Sequence, residues 1–430
     1  MKTGPKNTAA YRHEDFALGK TTVESSVRVE TVGDLAMAYS PGVAQPCLAI
    51  AKNPDDAYRF TGKGNLVAII SDGSSILHLG NLGSLASKPV MEGKALLFRR
   101  LAKINAVDIQ ANTSESAAFI DTVVRIADTF GGVHLDGMAE SQSREIEQAL
   151  IARCDIPVFS DEPHGMAIVV VASLLTALKV QGKKLKDVRI VCGLHGRAAV
   201  ECVRLLLNLG AHKSRIVVTT GCVRTIAQLG QTVQNGLTQH SPAAMKGSDV
   251  FIGIADPDWL TPEAILSMAS NPIVFAYAGP FQAILPWQAR EIRTDLILAT
   301  DSFDNPNELA NCLASPFVFR GALDVRARCI NEAMKIAAIR ALHLLALQPV
   351  PLDVLRTYNV DRLVLGKDYI VPKPLDGRLH SVVAGAVARA AIDSGEARIS
   401  FPAHYPSIYP FFYPFLVDVP SPLFDHGQSS

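Results

Sequence analysis

The 430-residue chain lacks an excess of charge of either sign: Lys and Arg total 41, and so do Asp and Glu. Without a net charge there is no overall excess to draw the chain to a nucleic acid or an anionic membrane, which leaves small, uncharged or zwitterion-tolerant substrates open. Paired cysteines are missing too. Cys47, Cys154, Cys192, Cys202, Cys222, Cys312 and Cys329 form no C-x-x-C pair, and an odd number cannot all pair within one chain. They read as reduced, mostly buried thiols, the usage of a cytoplasmic protein. No run of about 18 apolar residues suggests a membrane helix, and the opening "MKTGPKNTAAYRHEDFALGK" has no apolar signal-peptide core. The expectation is a cytoplasmic, globular protein.

What the chain has is a hydrophobic fraction of 48%, enough to fill the cores of two or three domains. Short apolar runs recur at 65–73, 133–137 and 156–165, each ending in polar or glycine residues and separated by helix-like segments, the rhythm of α/β layers. The stretch 166–182 reads as a long buried helix closed by Gly182. Five β-rich runs follow at 188–193, 215–221, 249–256, 272–279 and 295–301, alternating with helical stretches, and predict a doubly wound parallel sheet. In such sheets ligands sit at the carboxyl ends of the strands, where Gly193, Thr219, Asp256, Gly279 and Asp301 fall. Strong helices are expected over 329–347 and 377–395, returning to the first domain. The fold class is therefore α/β: an N-terminal substrate domain (1–165), a Rossmann-like nucleotide domain (166–328), C-terminal helices (329–398) and a Pro/aromatic tail (399–430). Prolines at 402, 406, 410 and 414 forbid a regular helix in that tail, and its aromatics favour an arm packed on its own or a neighbouring subunit.

Several residues are of types that carry chemistry. Tyr39 reads on its own as a turn aromatic, and Lys94 as a surface lysine ahead of an apolar helical stretch. Asp136 ends one β-like run, and Asp161 with Glu162 ends another, so a parallel sheet brings three carboxylates to one edge. Such a set suits Mg²⁺ or Mn²⁺, although acidic residues at strand ends also cap helices. The segment "VRIVCGLHGRAAVECVRLL" (188–206) has the look of a strand turning into a helix, where dinucleotide-binding folds keep three glycines.

In order and spacing, "AYSPGVAQPC", "KGNLVAIISDG", "LGNLGSLASKPVMEGKALLF", "IPVFSDEPHGMAIV", "FRGALDVRA" and "YIVPKPLDGR" resemble the short bacterial malic enzymes, from about residue 12 to about residue 398. The resemblance implies oxidative decarboxylation of malate, or a related 2-hydroxy acid, to pyruvate and CO₂, with NAD or NADP and Mg²⁺ or Mn²⁺. It implies Lys94 as the base at the substrate hydroxyl and Tyr39 as the acid that protonates the enolpyruvate carbon. A lysine near a metal and other cations has a lowered pKa, which makes it a usable base. Asp136, Asp161 and Glu162 take the metal positions. Gly193, His195, Gly196, Arg197, Ala198 and Asn311 take the nucleotide positions. The partner is a small acid, with no nucleic acid and no membrane, and the assembly at least a homodimer.

The chain also departs from the family pattern. A Glu-Asp pair becomes Asp136-Gly137, which removes one carboxylate, so returning an aspartate to position 137 is expected to tighten Mn²⁺ binding. The pattern D-D-Q-H-G-T becomes "DEPHGM" (161–166), with Glu162 and a proline following Asp161. Gly196 matches the middle glycine of the nucleotide turn and Ala199 stands for the third, while Leu194 replaces the first; Gly193 lies one residue earlier and Arg197 adds a cation. The second β-run ends in Thr219-Thr220 rather than a carboxylate, and Arg224 lies just beyond, which leaves NADP open beside NAD. Gly279 replaces one of two family asparagines. Two further readings stand beside the leading one: a metal-dependent β-keto acid decarboxylase without hydride transfer, and a non-catalytic paralogue acting as a subunit or regulator.

Overall fold

The computed structural model describes residues 19–77, 79–194, 197–219, 237–238, 242–254, 260–277, 286–302 and 304–405. It begins with helices α1 (Val32–Ala38) and α2 (Ala44–Lys52) and a single turn, α3 (Ala57–Phe60). A capping box starts α1: Asp34 N–H donates to the Thr31 hydroxyl, and the Asp34 carboxylate accepts from Thr31 N–H. None of these three helices buries a residue.

The first sheet follows in strict alternation: β1 (Leu66–Ser71), α4 (Lys88–Ala102), β2 (Asn105–Gln110), α5 (Ser116–Ile126), β3 (Gly132–Leu135), α6 (Glu140–Arg153) and β4 (Val158–Ser160). All pairings are parallel, in the order β2-β1-β3-β4. Because side chains alternate along a strand, Val67 and Ile69 enter one core and Ala68 and Ile70 the core on the other face. That two-sided burial explains the continuous apolar run that marked β1 in the sequence. β2 escaped that reading because "NAVDIQ" is a polar edge strand with no fully buried position.

The chain then enters α7 (Met166–Val180), closed by Gly182 at φ +66°. By length and composition, Asp161–Val180 is apolar enough to cross a membrane, but most of it is buried here. The second sheet comprises β5 (Ile190–Leu194), β6 (Ile216–Thr219), β7 (Leu237–Thr238), β8 (Val250–Ile254), β9 (Ile273–Tyr277) and β10 (Ile297–Thr300). It is parallel throughout, in the order β10-β9-β8-β5-β6-β7. The five expected strands are present and β7 adds a two-residue edge. The order runs outward in both directions from β5 and β8, which is the doubly wound arrangement, with its crevice at the carboxyl ends of those two strands. Helix α8 (Arg197–Asn208) follows β5, and α9 (Pro262–Ser267) and α10 (Pro286–Ile292) follow β8 and β9.

Four C-terminal helices complete the fold: α11 (Ser315–Asp324), α12 (Glu332–Ala346), α13 (Leu352–Thr357) and α14 (Arg378–Asp393). α14 packs on α11 and α12, α12 on α7, and α11 on α4 of the first sheet, so the chain does return to its first half. Of the aromatic tail, Phe401 lies under the Arg389 guanidinium at 4.2 Å, and buried Tyr405 donates to Asp324. The expectation of a packed arm over 406–430 falls outside the described residues.

Candidate active site

Parallel strands all end at one edge, and here that edge collects the acidic groups. Leu135 of β3 pairs with Ser160 of β4, so the residues that follow them, Asp136 and Asp161, stand side by side. Helix α4 buries Met91, Ala95, Phe98 and Ala102. Lys94, three residues after Met91 and four before Phe98, shares that inward face. Its Nζ is 2.5 Å from Asp136 Oδ2 and also donates to Asp161 Oδ2. Asp161 Oδ1 in turn accepts from the Ser315 hydroxyl at the start of α11.

The two carboxylates dominate the electrostatics of this cluster. Burial alone would lower the Lys94 pKa, but Asp136 and Asp161 outweigh it and hold the ammonium well above its ordinary range. Burial would raise Asp161; Lys94 chiefly overcomes it and brings the carboxyl down to about 2. A lysine clamped by two carboxylates is a poor base. It becomes a usable one only when another cation takes over those oxygens.

Asp161 opens a single π-helical turn, Asp161–Gly165, that leads into α7. Gly165 is required at its end, since a Cβ there would run into Asp161 Oδ1 and Ser315 Oγ. Glu162 projects from the same turn. Its surface reaches solvent, yet the protein around its carboxyl pushes it up to about 7, with Asp136 adding to the rise and Lys94 opposing it. Gly137 has φ +64°, and a Cβ there would lie 2.7 Å from both Ser71 Oγ and Ile76 Cδ1. An aspartate at 137 would have to hold this left-handed backbone and push aside the ends of the Ser71 and Ile76 side chains, which opposes the expected gain of a metal ligand.

Among the described residues, one group of ligand atoms converges closely enough for a cation: His134, Asp136 and Asp161, all within 4.8 Å of one another. Glu162 is not in that group, and His134 was not among the sequence candidates. The His134 ring is fully buried between Phe98 and Phe319, at centroid distances of 5.1 and 5.7 Å, and neither ring nitrogen has a hydrogen-bond partner. Burial pushes its imidazole below the ordinary value. Two carboxylates and a neutral, unpartnered imidazole suit a divalent cation. Tyr39 follows α1 and is 71% exposed.

At the second sheet, Gly193 pairs in register with Thr219 and Gly253 beside the crevice. His195 and Gly196 fall outside the described residues, as do Thr220, Arg224, Asp256 and Gly279. Ala198 and Ala199 are buried in the first turn of α8, where small residues let the helix approach the sheet. Arg197 does not stand free for a phosphate. Its guanidinium donates to Ser143 and Glu147 of α6. Glu147 also accepts from Ser160 N–H at 2.9 Å and lies 3.1 Å from His164 Nε2, so one buried carboxylate ties β4, the π turn and α8 together. Beside this cluster lies a polar cavity of about 320 Å³, lined by Arg144, Glu147, His164, Arg197, Glu201 and Lys335 among others.

Asn311, in a short 3₁₀ turn before α11, keeps its amide oxygen buried and unpartnered. Tyr277, at the end of β9, was also missed from the sequence. Burial raises its phenol, and Asp301, Lys94, Asp161 and Glu162 all act on it, so the carboxyl ends of the two sheets lie near one another.

Residues 19–118 match the family described as "Malic enzyme, N-terminal domain". The NADP-dependent malic enzyme of Halomonas elongata is 50% identical over 412 residues, covering 94% of this chain and 98% of that one. The NADP-dependent malic enzyme of Escherichia coli is 42% identical over 403 residues, 91% of this chain but 53% of that protein, so the chain spans about half its length. Among solved structures, the malic enzyme from Pyrococcus horikoshii superposes with a TM-score of 0.78 at 36% identity, covering 93% of this chain and 92% of that one. A shared sequence along nearly the whole length, on the same pair of parallel sheets, has one reading: this chain belongs to the malic enzyme family.

Proposed function

We propose that the protein oxidises malate with NAD(P) and releases CO₂ to leave pyruvate, using the cleft between the two sheet edges. The observation that carries this reading is Lys94 held between Asp136 and Asp161 at the carboxyl edge of the first sheet. A bound Mg²⁺ or Mn²⁺ supplies polarisation of the substrate's hydroxyl-bearing carbon and stabilisation of enolate charge, and the nicotinamide supplies the hydride acceptor. Asp136 and Asp161 hold the cation, and Glu162 at the mouth of the site adds a carboxyl to its surroundings. Lys94, released from the two carboxylates, accepts the proton of the substrate hydroxyl. Tyr39 returns a proton to the enol carbon after CO₂ has left.

On the nucleotide side, Gly193 and the first turn of α8, with Ala198 facing inward, carry the backbone that approaches the pyrophosphate. The unpartnered Asn311 oxygen suits an N–H donor such as a carboxamide. NADP is the favoured cofactor. The end of β6 at Thr219 bears no carboxylate to repel a 2′-phosphate, and the Halomonas and E. coli relatives are both named as NADP-dependent. A homodimer is proposed as well. The helices that carry Tyr39 bury nothing of their own and expose Leu35, Met37 and Leu48, a face that a second copy would cover.

The test uses malate labelled in the carboxyl group remote from the hydroxyl carbon, with Mn²⁺ and either nucleotide. Equal yields of labelled CO₂, pyruvate and reduced nucleotide support the reading. Decarboxylation of oxaloacetate without any nucleotide reduction would instead select the lyase, and no turnover of either acid a non-catalytic subunit.

A further inference from the structure

We infer that His134 supplies a nitrogen ligand to the divalent cation, making this a mixed nitrogen and oxygen centre that prefers Mn²⁺, Co²⁺ or Zn²⁺ to Mg²⁺. The inference rests on the metal-dependent reading above and deepens it.

Four observations lead here. First, the ring is fully buried, and both of its nitrogens lack partners. A buried polar group without a partner is costly, so a native structure that keeps one gives it a use. Second, the ring is wedged against Phe98 and Phe319 and cannot turn to solvent, yet Nε2 points toward Asp161, 3.9 Å from Oδ2. Two ligands on one ion, each about 2.1 Å from it, lie no more than about twice that apart, and this pair already satisfies the limit. The full set with Asp136, within 4.8 Å, needs only a small contraction.

Third, His134 precedes Asp136 by two residues on β3 and its continuation, so the two side chains leave the same face of the strand. Fourth, the neighbouring position offers no ligand: Gly137 has no side chain, and a Cβ there would press on Ser71 Oγ and Ile76 Cδ1. The oxygen set is therefore short by one donor, and among the described residues the side chain that converges on Asp136 and Asp161 is an unpartnered imidazole. With Nε2 as ligand, the neutral ring carries its proton on Nδ1. Imidazole suits Zn²⁺ and Co²⁺ and is tolerated by Mn²⁺, whereas Mg²⁺ strongly prefers oxygen, so the substitution selects among metals. Lys94 now occupies the carboxylate oxygens that a cation would need, so the ammonium and a bound cation would compete for them.

The experiment loads Mn²⁺ into metal-free, full-length protein and reads the pulsed electron paramagnetic resonance spectrum for nitrogen coupling. The unlabelled protein is expected to show coupling to a directly bound nitrogen, and protein grown with nitrogen-15 histidine to show the altered isotope pattern. His134→Asn should abolish the coupling and weaken Mn²⁺ by at least about tenfold, with a smaller loss for Mg²⁺. If His134→Asn does not fold, the labelled wild-type protein still decides, since His134 is the one histidine in the converging ligand group among the described residues. Mn²⁺ bound without histidine coupling would overturn the inference and leave the metal-dependent function standing. No Mn²⁺ binding at all would overturn both.

Discussion

Loss of Glu147 would strand a buried cation. The residue is 3% exposed, and its carboxylate meets Ser160 N–H, His164 Nε2 and the Arg197 guanidinium. Burial would raise its pKa, but His164 and Arg197 draw it well below the ordinary carboxylate range. Glu147→Gln keeps the volume and one acceptor oxygen but leaves Arg197, itself largely buried, without a counter-charge. Breaking a buried pair from one side costs about 3–5 kcal/mol, a large share of the roughly 5–15 kcal/mol that holds a typical protein folded. Replacing both partners removes the stranded charge, so Glu147→Gln combined with Arg197→Met should recover most of that loss. Urea unfolding followed by tryptophan fluorescence and circular dichroism measures both variants. A loss below about 1 kcal/mol for Glu147→Gln, or a double variant as unstable as the sum of the two singles, would show that this ion cluster does not bind β4 to α8.

Other consequences follow from the same geometry. Glu147 and Glu201 both have folded pKa values below their ordinary 4.5, about 2 for Glu201, where His164 and Lys335 outweigh burial. Their contribution is therefore complete above pH 4.5 and lost as the pH falls toward 2; a stability profile flat from pH 7 to 2 would contradict this. Gly137→Asp should lower thermal stability, by about 1–3 kcal/mol, without tightening Mn²⁺, and calorimetry that found a tighter site would refute the steric argument. Lys94→Ala should cut turnover by about 10²–10⁴-fold while Mn²⁺ binds at least as well, because the competing ammonium is gone; weaker Mn²⁺ would place the metal elsewhere. Leu35→Asp with Met37→Asp should shift the protein toward monomers in analytical ultracentrifugation, and an unchanged sedimentation coefficient would mean that no second copy covers α1.

Much of this architecture can be read in the sequence because two-sided burial writes a plain signal. β1 and the five apolar strands of the second sheet are continuous apolar runs, and α7, α12 and α14 are long and strongly patterned. β2 left little trace, being a polar edge strand, and β7 is too short to have a period. Asp136, Asp161 and Lys94 were legible through motif and strand-end position. His134 was not, since a histidine between Val133 and Leu135 reads as an ordinary core residue until the register of β3 against β4 sets it beside Asp161. Arg197 read as a phosphate cation because the sequence places it at a helix start; its partner Glu147 lies 50 residues away. The raised pKa of Lys94 and the positive φ at Gly137 belong to the packed structure, where opposing carboxylates and backbone course are set by distant segments.

The most direct measurement of the central claim is the absorbance of reduced nicotinamide when purified protein meets L-malate and Mn²⁺ with NADP, and separately with NAD. A steady rise that needs malate and metal together, faster with NADP and absent in Lys94→Ala, is the expected result. A folded, Mn²⁺-loaded protein that gives no rise with either nucleotide would contradict malate oxidation in this cleft.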